Sequence, residues 1–137
     1  MPVTGRRKAR EMALQILYQQ DLVGGGDRVE KQPGTTSEEQ IFADRLVSGV
    51  RGNLQEIDAT IERVSKNWRV KRMPIIDRNI IRMGVFELCY CDDIPATVSI
   101  NEMVEVAKHY GAEESASFVN GVLDKVKAEV NRPSKAP

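Results

Sequence analysis

Residues able to do covalent or acid-base chemistry are few in this sequence of 137 residues. The single histidine, His109, falls near the end of a helical stretch, where an imidazolium gains from the helix dipole, and that positional role outweighs catalysis. Cys89 and Cys91 stand two apart in a helical segment, so their side chains diverge by roughly 200°. With no further cysteine they complete no metal set, and both are expected as buried, reduced thiols. Gly24 to Gly26 lack the lysine and hydroxyl of a phosphate-cradling loop and follow a helix rather than a strand. Glu56 and Glu102 are spaced for helix capping behind Asn53 and Ser99. An enzyme needs a nucleophile, base or metal in one constellation. None is legible here, and no cofactor is expected.

Binding chemistry has better material. Arg6, Arg7, Lys8 and Arg10 cluster with no acid until Glu11. Cations at the positive end of a helix dipole are locally unfavourable, so either the run is a solvated helix start or something else, such as phosphate, favours it. Phe118, in SASFVNGVLDKV, lies roughly 100° from the centre of its helix's apolar stripe, on the flank of Lys125. One reading is edge-of-core packing. The other is an aromatic edge beside Gly121, where a base can approach, and Lys125, which can meet a phosphate, as single-stranded RNA recognition requires.

Helices must position these groups. Pro74 to Cys91, PIIDRNIIRMGVFELCYC, is apolar on every side at the helical period: Ile76, Ile80, Met83 and Glu87 on one face, Ile81, Val85 and Leu88 opposite. Such a helix is buried, and others must pack around it. Ahead of it, Ala9, Met12, Ala13, Ile16 and Leu17 form the core stripe of a first helix, leaving Leu14 and Tyr18 to face water unless another element or a partner covers them. Residues 23–36, with GGG and Pro33-Gly34, predict a flexible loop. Ser37 with Gln40 reads as a capping box before Ile41, Phe42, Leu46, Val47 and Val50, and Gly52 ends that helix. Asn53 with Glu56 opens a third helix through Leu54, Ile57, Ile61, Val64 and Trp68, followed by a basic turn, Arg69 to Met73. Ser99 with Glu102 opens a further helix that stops at Gly111. The last begins near Glu113 to Ser115, buries Val119, Val122, Leu123, Val126 and Val130, and frays into a tail at 131–137. No segment alternates with period two, so the fold class is all-α, a helical bundle.

Length predicts one domain over 1–137, able to bury a core without staples. Lys plus Arg equals Asp plus Glu at 20 each, so no global field advertises nucleic acid or membrane, and electrostatic function must come from uneven placement. Without a signal peptide, apolar span or lipidation motif, a soluble cytosolic protein with no membrane partner is expected.

RRKARE near the start, RMGVFEL, the segment SINEMVEVAKHYGAEESASFVNGVLDKV and the helix order together strongly resemble the family of transcription antitermination factor NusB. Arg6 to Leu22 and Pro74 to Val126 match closely; Val23 to Met73 agrees only in helix pattern. The resemblance implies two packed helical sub-bundles around the buried central helix and no catalytic activity. It further implies binding of the single-stranded boxA segment of nascent ribosomal leader RNA together with the ribosomal protein NusE, helping RNA polymerase in its antitermination complex read through terminators. Carried over by position, the family's arginine-rich motif falls on Arg6, Arg7, Lys8 and Arg10, and its RNA-facing aromatic on Phe118. Lys8 replaces an arginine of some members, keeping the charge but not the bidentate fork. Tyr18 and Asp77 match positions where the family meets NusE. The same helical domain fronts some RNA methyltransferases, but no cofactor-binding sheet follows here, so methyl transfer is not expected. A purely scaffolding bundle, with the basic run as a solvated end, is the alternative, and salt-dependent RNA binding separates the two.

Overall fold

A computed structural model describes residues 3–24 and 34–130, with side chains from Arg6 onward. Six α-helices follow one another: α1 (Val3–Val23), α2 (Ser37–Gly52), α3 (Leu54–Val64), α4 (Ile75–Tyr90), α5 (Ala96–Tyr110) and α6 (Ser115–Val130), with a 3-10 turn at Val70–Arg72. No strand occurs among the described residues, and none of their helices is long and apolar enough to cross a membrane.

The apolar run in α4 does what its pattern requires. Ile80, Ile81, Met83, Val85 and Phe86 are all buried, and α4 packs against each of the other five helices. Helix α1 packs with α2, and α5 with α6, and all of them share one apolar cluster with α3 and α4. Close approach depends on two glycines. A Cβ on Gly84 would sit 2.6 Å from Leu123 Cδ1, so α6 seats against α4 only because that atom is missing. Gly49 of α2 likewise lies under the Phe86 ring. Leu14 is buried, so α1 presents a wider face to the core than its main stripe, while Tyr18 remains partly exposed.

Several helix boundaries differ from the sequence expectation, each for a local reason. Thr36 rather than Ser37 caps α2: its hydroxyl accepts from Glu39 N at 3.1 Å while Glu39 Oε1 accepts from Thr36 N at 2.9 Å, which places the capping box one residue earlier. Ile41 is then turned outward and exposed. Asn53 does not cap α3 with its side chain; as the single residue between two helices it donates Nδ2 to Gly49 O at 2.8 Å, closing α2 instead. Helix α5 starts at Ala96 behind Pro95, so Ser99 and Glu102 are buried helix-interior residues rather than a capping box. Helix α3 ends at Val64, leaving Trp68 in the turn beyond it. Cys89 is exposed; only Cys91 is buried. Residues 25–33 of the expected flexible loop and the expected tail lie outside the described residues. The loop's described ends are engaged in helices, with α1 running to Val23 and Thr36 capping α2.

Candidate RNA-binding surface

The basic run on α1 divides into an inner and an outer part. Arg10 is 1% exposed, and its Nε and Nη2 donate to Glu87 at 2.8 and 2.9 Å. Glu87, fully buried in α4, also accepts from Ser99 Oγ at 2.6 Å. Arg10 is therefore removed from the set of RNA-facing residues: its guanidinium neutralises Glu87, the fully buried carboxylate of α4. The sequence signal was present, because Arg10 shares a helical face with Ala13, Leu14 and Leu17, and an acid on a helix buried all round requires a cation. Arg7 forks Glu102 of α5 at 2.8 and 2.9 Å, an embrace that raises its pKa. Glu102 is thus an ion-pair partner and not the helix cap its spacing suggested.

Arg6 lies across the Phe42 ring, 4.4 Å from its centroid, with Nη1 3.9 Å from Asp93. Arg45 donates two hydrogen bonds to the same carboxylate, holding it well down, at about 2. The pair is present at any pH above the ordinary Asp value of 3.8 and is lost only as pH falls toward about 2. Arg6, Arg7 and Lys8 retain partial exposure.

Phe118 projects from α6, half-buried, edge-on to Trp68 with ring centroids 5.7 Å apart at 62°. Trp68 itself is 49% exposed. The edge-of-core reading of Phe118 holds: one side packs against the core cluster, and the ring also shares an aromatic pair with Trp68. Three residues on, a Cβ at Gly121 would meet nothing within 4 Å, so that position is open to an approaching ligand. Lys125, two turns beyond Phe118, is exposed. Burial, and then the charge and hydrogen bonding of neighbouring Glu11, raise the Tyr110 pKa at the last turn of α5.

Tyr18 is 36% exposed near the end of α1, but Asp77 is 6% exposed. Its Oδ1 accepts from Ser115 Oγ at 2.7 Å, and that hydroxyl accepts in turn from Ala112 N at 2.8 Å. Asp77 thus fastens the start of α6 to the first turn of α4. Below it, Asp21 binds Arg78, Asn79 and Arg82, and Arg82 forks Asp58, tying α1, α4 and α3 together. Burial opposes ionisation of Asp21, but the hydrogen bonds from Arg78 and Asn79 outweigh it and leave its pKa lowered.

Chemistry of the catalytic kind has little to work with. No group of three or more His, Cys, Asp or Glu among the described residues is placed to hold a metal, and burial pushes the Cys91 thiol up to about 11, away from thiolate reactivity. Fold and surface together define an all-α binding module that presents cations and aromatic edges among its outward groups.

The chain belongs to the NusB family, whose family model matches residues 7–128. Similar relatives are the transcription antitermination protein NusB of Myxococcus xanthus, 46% identical over 93% of this chain and 98% of that protein, and that of Pelotomaculum thermopropionicum, 49% identical over 88% of each. Among solved structures, T. maritima NusB superposes with a TM-score of 0.84 at 32% identity, covering 94% of this chain and 92% of the other. A complex of antitermination factors NusB and NusE with dsRNA contains a chain that matches at TM-score 0.82 and 29% identity, over 92% of this chain and 98% of that one. The protein is a transcription antitermination factor and not an enzyme.

Proposed function

We propose that this chain acts as a single domain in the cytoplasm, where it binds the single-stranded boxA segment of ribosomal leader RNA together with NusE and so equips RNA polymerase to read through terminators. The observation that carries the RNA reading is the half-exposed Phe118 edge beside open Gly121 and exposed Lys125, a stackable ring with a cation on the same helix face. Lys8 supplies a phosphate contact from α1, joined by the partly exposed sides of Arg6 and Arg7 that their contacts with Phe42 and Glu102 leave open. Tyr18 offers the exposed part of the NusE surface, and buried Asp77 holds the start of α6.

The test is a titration of labelled single-stranded boxA RNA at several salt concentrations, with and without NusE, and with a duplex of the same sequence in parallel. Binding that weakens steeply with salt and prefers the single strand supports the proposal. Salt-independent binding, or none, returns the scaffolding reading.

Phe118→Ala is expected to cost roughly 1–3 kcal/mol of RNA affinity through lost stacking. The half-buried ring also predicts a modest fall in thermal midpoint. A loss confined to melting curves, with binding curves unmoved, would make the residue structural only.

Glu114 is exposed just ahead of α6, and its carbonyl accepts from Phe118 N at 3.0 Å. An anion there stabilises the helix start by about 0.3–1 kcal/mol and also repels phosphate passing Phe118. Glu114→Gln should therefore bind RNA more tightly, most visibly at low salt, with slightly lower thermal stability. Affinity that stays level or falls in low salt would place the RNA elsewhere.

A further inference from the structure

Three of the four cations in the α1 run are already engaged: Arg10 and Arg7 fork buried carboxylates, and Arg6 sits over Phe42 beside Asp93. The densest positive charge without such engagement is elsewhere. Lys66, Arg69, Lys71 and Arg72 are all exposed, the segment from Lys66 to Arg72 contains no acid, and none of the four is ion-paired among the described residues. In their midst stands Trp68, about half exposed and edge-on to Phe118.

The turn is held in shape by groups that leave these side chains outward. Trp68 N donates to Ser65 O at 2.8 Å, and Val70 N donates to Glu62 Oε2 at 3.0 Å while Val70 itself is buried. Lys71 O accepts from Arg78 Nη1 at 3.1 Å, anchoring the backbone to α4 without using the lysine's charge. A ring presented from a pinned backbone loses little further freedom on stacking.

Resting on the RNA reading above, we infer that the Lys66–Arg72 turn is a second RNA contact. Trp68 stacks on a base next to the one met by Phe118, and Arg69, Lys71 and Arg72 hold the phosphates of the strand as it leaves the α6 face. The occupant is single-stranded RNA because the patch joins an aromatic pair to unpaired cations, which is the chemistry of base stacking with backbone neutralisation. Acids nearby set the limits of the path. Glu62 is committed to the Val70 amide, whereas exposed Glu114 and Asp124 on the α6 side disfavour phosphate close to them.

Trp68 is the only tryptophan in the chain, so its emission reports on this turn alone. With labelled single-stranded boxA RNA, saturating RNA should quench that emission, and Trp68→Leu should weaken binding about tenfold. R69Q/K71Q/R72Q should lower the salt slope by about 2 if all three residues reach phosphate, at roughly 0.7 per contact, with the melting midpoint unchanged. If Trp68→Leu weakens binding while emission and the triple variant's slope stay unaltered, Trp68 only buttresses Phe118 and the inference fails. RNA binding that is sensitive to Phe118→Ala but indifferent to every change in the turn also overturns the inference and leaves the proposed function standing. Absence of RNA binding by the unaltered chain, with and without NusE, overturns both.

Discussion

Arg10→Ala is expected to lower folding stability by about 3–5 kcal/mol, because it strands the Glu87 carboxylate in the core. Glu87 is fully buried, and after the change only Ser99 Oγ would remain as a hydrogen-bonding partner from the present set. In a chain of this size the thermal midpoint should fall on the order of 10 °C or more. RNA affinity per folded molecule should change little, since the guanidinium points inward. That is the reverse of what a basic run read by composition suggests. Urea unfolding with binding measured under folding conditions is the check; a stability change below about 1 kcal/mol, within the range of exposed pairs, would place the pair at the surface. Replacing both partners by apolar residues, Arg10→Met with Glu87→Leu, should recover part of the loss, because no unpaired charge is then left inside.

Asp77→Lys is expected to cost about 2–4 kcal/mol, through a lost charge-assisted hydrogen bond and a cation placed in the first turn of a helix. Sequence position alone suggests a selective defect in NusE binding with RNA binding spared. The structure gives a different expectation. Asp77 holds Ser115, and Ser115 begins the helix that carries Phe118, so releasing it should impair both partners. Asp77→Asn keeps the shape and an acceptor and should be milder in both respects. The comparison is made by measuring NusE and RNA binding separately for each variant alongside its melting midpoint. An Asp77→Lys protein with an unshifted midpoint and intact RNA binding would make Asp77 a surface contact alone.

The central helix was legible because burial shows as apolar residues on every face at the helical period, and Ile75–Tyr90 has them despite Asp77, Arg78, Arg82 and Glu87. Capping was less legible, since a hydroxyl followed three residues later by an acid describes both a capping box and two polar groups on one inward face. Thr36 and Glu39 form the first; Ser99 and Glu102 are the second, decided by Pro95 capping α5 four residues earlier than expected. Phe118 and Lys125 could be picked out from their flank on α6. Trp68 could not, because its place beside Phe118 depends on where α3 ends and how the basic turn folds back, a tertiary outcome with no periodic signature. Arg10 was misassigned for a related reason: the carboxylate that claims it lies far along the chain.

That distance bears on the order in which the molecule assembles. Arg10 and Glu87 are 77 residues apart, and Arg7 and Glu102 are 95 apart. Closing such long loops is entropically unfavourable and belongs late in folding. During synthesis the first helix therefore emerges with its arginines unclaimed, and they stay so until most of the chain has left the ribosome. A nascent or truncated chain ending before Glu87 should be a more adhesive polycation toward RNA than the finished protein, with less discrimination among sequences. Completion of the chain buries Arg10 and pairs Arg7 with Glu102, leaving the smaller, shaped surface that selects its ligand.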